Sequence, residues 1–470
     1  MTQADQPHHP MMTLAEAAAA MGGVLVGADV GFMRVTTDSR AIQLGDLFVA
    51  LKGERFDGHD YVATALAAGA AAVVVSEPQA ASGPQVLVAD TLVALGKLAG
   101  YWRGRFPIPL VALTGSNGKT TVKEMLASIL RCAAGEQAVL ATVGNLNNAI
   151  GMPLTLLQLH SRHRYAVIEM GMNHLGEIAY LSRIAKPDVA LINNAGRAHV
   201  GEVGSLDGIA QAKGEIFQGL QPDGVALINA DDAYAGYWKG LAGKHRILTF
   251  GLAEQGHSPD VSTRYQVLEE GVLVTFSVAG RDITARLQMA GQHNVRNAAA
   301  ACAAAWILGV DPAHITQGLG AFSGVKGRLQ RKPGLRGATL IDDSYNANPE
   351  SMAAAVAVLA GGVGAKIFIM GDMGELGDAA PALHAEIGRL AGQAGIQTLF
   401  ALGPLSSHAC AAFGPGARHF ESLEALIAAL APRLNADVTV LVKGSRFMQM
   451  ERVVERLLAA APDSKAKENH

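Results

Sequence analysis

The sequence predicts an α/β protein of three domains, spanning residues 1–90, 91–326 and 327–470. Three observations predict it. The chain has 470 residues, a length that divides into about three cores. Short apolar runs of strand length recur and alternate with helical spacings, the pattern of βα units. Polar and glycine-rich clusters fall where those runs end, the side on which open parallel sheets take ligands.

Bulk properties narrow the class. Half of the residues are apolar, enough for several cores. The net charge is -3 and the lysines and arginines are scattered, so no nucleic-acid footprint is present. Cys132, Cys302 and Cys410 are odd in number and lack C-x-x-C spacing; they read as buried thiols in a reducing compartment. No basic segment precedes the apolar residues 14–20, and Glu16 interrupts them, which argues against a signal peptide. The longest apolar run, 298–310, is short of the ~20 residues of a membrane span. A soluble cytoplasmic protein without membrane insertion is expected.

In the first domain, residues 14–21 have helical spacing, 45–51 form a turn into a strand, 61–68 a helix and 71–75 a strand. Between them lie two polar clusters, 36–40 and 52–61. Asp38, Ser39 and Arg40 are either a capped surface loop or a holder of a phosphate or planar polar head group. A helix over 92–102 ends at Pro107 and Pro109, which introduce the next strand.

That strand, 108–113, runs into Thr114-Gly115-Ser116-Asn117-Gly118-Lys119-Thr120-Thr121. A helix follows over 122–131, with Met125, Leu126, Ile129 and Leu130 on one face. A glycine turn at a helix N-terminus aims backbone N–H groups at one spot, and the helix dipole and Lys119 add positive charge. That geometry suits a polyphosphate, and the Thr120 hydroxyl suits a magnesium ion. The pattern departs from the general phosphate loop at Leu113, where the first glycine would fall.

Strands over 166–170 and 189–193 then end in Glu169 and in Asn193-Asn194, with His199 just beyond. Glu169 and His199 could converge beside the loop, or be a strand-end carboxylate and a loop histidine. Lys213 lies in a helical stretch, and 225–229 is another strand. Residues 264–287 alternate like antiparallel strands around Ala279-Gly280. An Ala-rich helix ending at Val310 opens with Asn294 and Asn297, three apart and on one face. Their amides suit a purine edge, though Asn294 could simply cap the helix.

The glycine- and base-rich segment 322–328 is a linker. Beyond it, strands over 338–341, 366–370, 398–402 and 438–442 again end in polar groups. These include Asp342-Asp343-Ser344-Tyr345-Asn346-Ala347-Asn348-Pro349 and Lys443-Gly444-Ser445-Arg446. A helix over 350–359 follows the first, and the polar tail 463–470 is expected to be disordered.

Together these motifs resemble the Mur ligase family along nearly the whole chain. Its members are ATP-dependent amide-forming ligases of peptidoglycan precursor synthesis. Thr114–Thr121 has this family's form of the phosphate loop, which accounts for Leu113. Glu169-Met170-Gly171, His199, Lys213 and His293-Asn294 with Asn297 are family-wide features. Residues 142–148, 342–349, 370–376 and 441–448 are similar to the branch that adds D-alanyl-D-alanine to UDP-N-acetylmuramoyl-tripeptide. The branch that adds the third peptide residue is similar in Asp38-Ser39-Arg40 and residues 45–48, but the Asp-Asn-Pro-Arg motif of its diaminopimelate-adding form is absent.

The resemblance implies a UDP-binding first domain, a phosphate-loop ATPase-like parallel-sheet second domain and a Rossmann-like third domain. It implies ATP and Mg2+ as cofactors, the two reactants as partners, and a monomer. Gly115 to Thr121, Asn294, Asn297, Arg328 and Asp343 would bind ATP. Thr120, Glu169, His199 and a carbamoylated Lys213 would serve the metal sites, with Lys119, Lys213 and His199 catalytic. Asp38, Ser39 and Arg40 would hold the UDP end, and Asn147 and Asn148 the peptide end. Tyr345, Asn346, Asn348, Lys443 and Arg446 would form the dipeptide site. The alternatives are a relative adding a single amino acid and a scaffold without activity. A scaffold would show a gap at Lys119, Glu169, His199 or Lys213, and all four are present.

Overall fold

Three parallel-rich sheets follow one another along the chain in this computed structural model. It describes residues 9–81, 83–197, 200–253, 256, 258–269 and 271–458. The expectation for the tail falls outside them.

The first sheet has five strands, in the order Val24–Val26, Gln85–Leu87, Ala72–Val75, Asp46–Val49 and Arg34–Thr36. Only Val24–Val26 is antiparallel to its neighbour. Leu47, Val49, Val74 and Val86 on one face pack against the helix Leu14–Met21 and the helix Thr91–Gly104. The second of these helices also packs on Gly151–Leu156 and Glu177–Ala185. Its Leu95, Leu98 and Trp102 make one continuous core of the first sheet and the near face of the second.

The second sheet has nine strands. Their order is Val139–Ala141, Tyr165–Glu169, Leu110–Thr114, Val189–Ile192, Val225–Asn229, Arg246–Leu252, Val261–Val267, Val272–Val278 and Arg281–Leu287. The last two are antiparallel and turn tightly at Ala279 and Gly280, both at positive φ. Successive residues of the parallel strands go to opposite layers. Leu110 and Ala112 face the Thr91–Gly104 side, while Val111 and Leu113 face the helices Lys119–Ala134, Gln292–Ile307 and Pro312–Ala321. Ala298 to Ala305 are fully buried, and these small side chains let that helix lie close to the sheet. The strand Leu110–Thr114 sits in the middle, and the chain leaves it first to one side and then to the other. Its carboxyl end is therefore a topological switch point, where ligands bind in such sheets. The register sets Glu169 opposite Leu113 and Ile192 opposite Thr114.

The third sheet has the order Gln330–Pro333, Thr339–Asp343, Val438–Lys443, Ala365–Gly371, Thr398–Leu402 and Ala417–Phe420. All but the first strand are parallel. Asp343 pairs in register with Lys443, which in turn neighbours Met370, so the polar groups expected at strand ends share one edge. The helices Pro349–Ala360 and Ala380–Gln393 lie on the face carrying Ile341, Phe368 and Met370.

The helix Leu206–Gly214 carries Lys213, and its support is a fully buried Trp238. The indole Nε1 donates to Ala210 O at 2.9 Å. Trp238→Ala should lower stability by about 3–5 kcal/mol, the usual cost of emptying an aromatic site. A denaturant midpoint followed by circular dichroism measures it.

Candidate functional site: a cleft between the second and third sheets

The loop at residues 115–118 joins a fully buried strand to a helix that begins at Lys119. Gly118 is at φ 79°, and a Cβ there would collide with Asn297 Oδ1. Only glycine fits the turn. The loop is fastened from the neighbouring strands by amides. Ser116 N donates to Asn194 O at 3.1 Å and Asn117 N to Asn194 Oδ1 at 2.8 Å. Asn193 Nδ2 donates to Asn117 O at 2.9 Å and to Asn297 Oδ1 at 3.0 Å. Asn229 Nδ2 donates to Asn193 O at 2.8 Å. Ser116 Oγ accepts from Gly196 N at 2.9 Å and donates to Gly196 O at 3.0 Å. The backbone N–H groups of Gly118, Lys119, Thr120 and Thr121 donate to no described residue. An open helix N-terminus of this kind suits an anion.

Thr120 is the point of convergence. Its Oγ1 lies 3.0 Å from Glu169 Oε2 and accepts from Arg328 Nη2 at 3.0 Å. Glu169 is buried and also accepts from Asn147 Nδ2 at 2.8 Å, while its own N–H goes to Thr142 Oγ1 at 2.9 Å. Arg328 stacks over the Tyr345 ring, 4.4 Å from its centroid, a cation–π contact. Lys119 Nζ folds back on Gly115 O at 2.6 Å. Burial pushes the Lys119 pKa down and Arg328 adds to this, while Glu169 opposes it.

Lys213 is buried, and its ammonium has no hydrogen-bond partner among the described residues. Burial first, and then the Lys119 charge, push its pKa well down, with Asp232 pulling the other way. Asp232 is itself raised by burial, against bonds accepted from the backbone N–H groups of Tyr234 and Ala195. His199 lies outside the described residues.

Asn294 and Asn297 stand on one helix face as expected, and both are buried. Asn297 Nδ2 donates to Asn294 Oδ1 at 3.4 Å, and Asn294 Nδ2 donates to Ala290 O at 2.8 Å. In this structure the Asn297 amide joins the network behind the loop through Asn193, and the Asn294 amide holds the start of its own helix. In the third sheet, Asp343 and the buried Lys443 pair with each other at 2.7 Å. Burial raises the Asp343 pKa even so. Lys443 also donates to Asn346 O at 2.8 Å. Burial, then Lys443 and Arg296, lower the nearby His293 to about 4. Asn348 caps the helix Pro349–Ala360 in a capping box, and its Nδ2 reaches across to Asn117 Oδ1 at 2.8 Å. Arg446 is exposed and pairs with Glu451 at 2.8 Å.

Two expected groups stand apart from this convergence. Asp38 and Arg40 form a bidentate pair at 2.8 and 2.9 Å on the first sheet, and that bond holds the Asp38 pKa at about 2. Ser39 opens the short 3-10 turn that Asp38 caps. Asn148 Oδ1 accepts from Ile150 N at 3.2 Å and Gly151 N at 2.9 Å in the turn before the helix Gly151–Leu156. Sequence reasoning missed the roles of Asn193, Asn194 and Asp232, although each stood in a polar cluster at a strand end. It missed Arg197 altogether. Arg197 pairs with Glu350 at 2.8 Å and Glu386 at 3.1 Å, and no local motif marks partners so far along the chain.

Family models match three parts of the chain. The Mur ligase family catalytic domain matches residues 32–103, the Mur ligase middle domain 113–305, and the Mur ligase glutamate ligase domain 327–446. The chain is 42% identical to the UDP-N-acetylmuramoyl-tripeptide–D-alanyl-D-alanine ligase of Escherichia coli, covering 95% of this chain and 98% of that one. Among solved structures it is similar to MurF from Acinetobacter baumannii, with a TM-score of 0.89, 39% identity and coverage of 96% and 99%. It is also similar to the MurF ligase of Thermotoga maritima in complex with ADP, with a TM-score of 0.81, 30% identity and coverage of 90% and 96%. On the three family matches and this full-length identity, the chain belongs to the Mur ligase family.

Proposed function

We propose that this chain is an ATP-dependent ligase that joins D-alanyl-D-alanine to the terminal carboxylate of UDP-N-acetylmuramoyl-tripeptide, in cytoplasmic synthesis of peptidoglycan precursors. The observation that carries the reading is the meeting of Glu169, Thr120 and Arg328 at the open N-terminus of the phosphate-loop helix. The E. coli relative's substrates and the ADP complex of the T. maritima relative support it. The work would divide along the chain, with the UDP end on residues 1–90, ATP on 91–326, and the dipeptide on 327–470.

A carboxylate is a poor acyl donor because its oxygen leaves badly. Attack by the tripeptide carboxylate on the γ-phosphate gives an acyl phosphate and ADP. The amine of D-alanyl-D-alanine then attacks the carbonyl, phosphate leaves, and the amine gives up a proton. Every reactant near the γ-phosphate is anionic, so neutralisation and alignment dominate. Lys119 would release Gly115 O and turn to the β and γ phosphates, and Arg328 would approach from the third domain. Asn294 and Asn297 would border the adenine, and Asp343 the ribose. Asp38, Ser39 and Arg40 would take the UDP end, and Asn147 and Asn148 the peptide. Tyr345, Asn346, Asn348, Lys443 and Arg446 would frame the dipeptide. Lys443 and Asp343 would have to exchange each other for ligand groups on binding.

Thr120 and Glu169 offer hard oxygen donors side by side, which fits magnesium. Among the described residues no cluster of three or more His, Cys, Asp or Glu could hold a metal, so phosphate oxygens and water would complete the shell. When bound, Mg2+ supplies neutralising charge at the phosphates, and His199 is the proposed ligand of a second ion. A buried lysine held toward its neutral form has the nucleophilic amine that adds to carbon dioxide. Lys213 is therefore proposed to be carbamoylated, becoming an anion beside the metal sites.

Two outcomes follow. With all three reactants present, phosphate is released from ATP, and omitting D-alanyl-D-alanine abolishes steady release. Release that ignores the dipeptide would overturn the ligase reading, and assays with both nucleotide tripeptides identify the third residue. Lys213→Ala should lose most activity and regain part of it in added formate or acetate. Absence of any recovery would count against carbamoylation.

A further inference from the structure

The phosphate loop and the third domain are joined by a further contact besides those of Arg328 and Asn348. Gly196 is fastened to the loop by the reciprocal bonds with Ser116. The next residue, Arg197, spans to two helices of the third domain. Its Nε donates to Glu350 Oε1 at 2.8 Å, and Nη1 and Nη2 donate to the two oxygens of Glu386 at 3.2 and 3.1 Å. A forked guanidinium can hold two carboxylates at once in a fixed geometry, which an ammonium cannot do. Glu350 is two residues beyond Asn348, whose amide reaches Asn117 in the loop. Its other oxygen, Oε2, is buried and has no partner among the described residues. A Cβ on Gly196 would sit 3.4 Å from that carboxylate, so the two domains are in close apposition here.

We propose that Arg197 is a positioning residue that holds the third domain in register with the phosphate loop, so that Arg328 meets Thr120 during the ligation proposed above. It touches no reactant. Without it, Glu350 and Glu386 lose their shared cation. Two like charges then face a loop built to receive a polyanion, and the domains separate. Ionic contacts of this kind at half-exposed positions contribute little to fold stability. Their effect falls on the closed arrangement, where small misplacements weigh heavily on rate.

The test compares wild type, Arg197→Ala, Arg197→Lys and the double variant Glu350→Gln with Glu386→Gln. Steady-state kinetics with all three substrates are combined with small-angle scattering in the presence of a non-hydrolysable ATP analogue. For Arg197→Ala, kcat should fall by about tenfold, with the KM for UDP-N-acetylmuramoyl-tripeptide unchanged and a larger radius of gyration with the analogue. Arg197→Lys should recover part of the loss. Adding Arg197→Ala to the glutamine pair should cost nothing more, because both changes break one contact. Unchanged kcat and scattering in Arg197→Ala, or a loss that lysine does not lessen, would overturn the proposal. Scattering needs no ligation, so the result stays interpretable even if wild type fails to ligate the dipeptide.

Discussion

The cleft depends on a loop of four residues being held in one shape by side-chain amides. Asn193 and Asn194 reach the loop from the neighbouring strand, and Asn297 from the helix above and Asn229 from the next strand support Asn193. Each bond engages a buried polar group that would cost about 1–3 kcal/mol if left unpaired. In a low-dielectric setting such bonds are strong and directional, and a connected set specifies one arrangement. The consequence is the open row of N–H groups from Gly118 to Thr121. They remain available because the loop's other polar groups are met from behind.

Charge is the second constraint. Lys119 lies within the fields of Glu169 and Arg328, and Lys213 within those of Lys119 and Asp232. Burial and mutual repulsion push both lysines down from their ordinary pKa. Such a cluster is most comfortable beside a polyanion, and perturbed titratable groups of this kind gather at functional sites. The third domain contributes Arg328, and the Arg197 contacts bring it into place. Binding, neutralisation and closure are thus parts of one electrostatic arrangement.

Much of this was legible in the sequence. The strand into the loop and the helix after it follow from a buried apolar run, a glycine turn and i, i+3, i+4 spacing. The hairpin at Ala279-Gly280 follows from alternation. Thr120 and Glu169 converge because one opens the helix after the central strand and the other ends the strand beside it. Other features needed coordinates. Short strands such as Val139–Ala141 and Arg34–Thr36 carry too few residues for a period to show. The mutual pairing of Asp343 and Lys443 depends on the register of strands about a hundred residues apart in sequence. So does the turning of Asn297 toward Asn193 and of Asn294 toward Ala290. Amide side chains suit a purine and a backbone equally well, and only position distinguishes the two. Arg197 has partners on helices that no local pattern connects to it.

In the proposed reaction the cleft activates a carboxylate by transferring phosphate onto it. Labelling the tripeptide's terminal carboxylate with heavy oxygen and analysing the released phosphate by mass spectrometry tests this most directly. One labelled oxygen is expected in each phosphate formed, because the carboxylate oxygen leaves with the phosphoryl group. Peptide formation with unlabelled phosphate would contradict it.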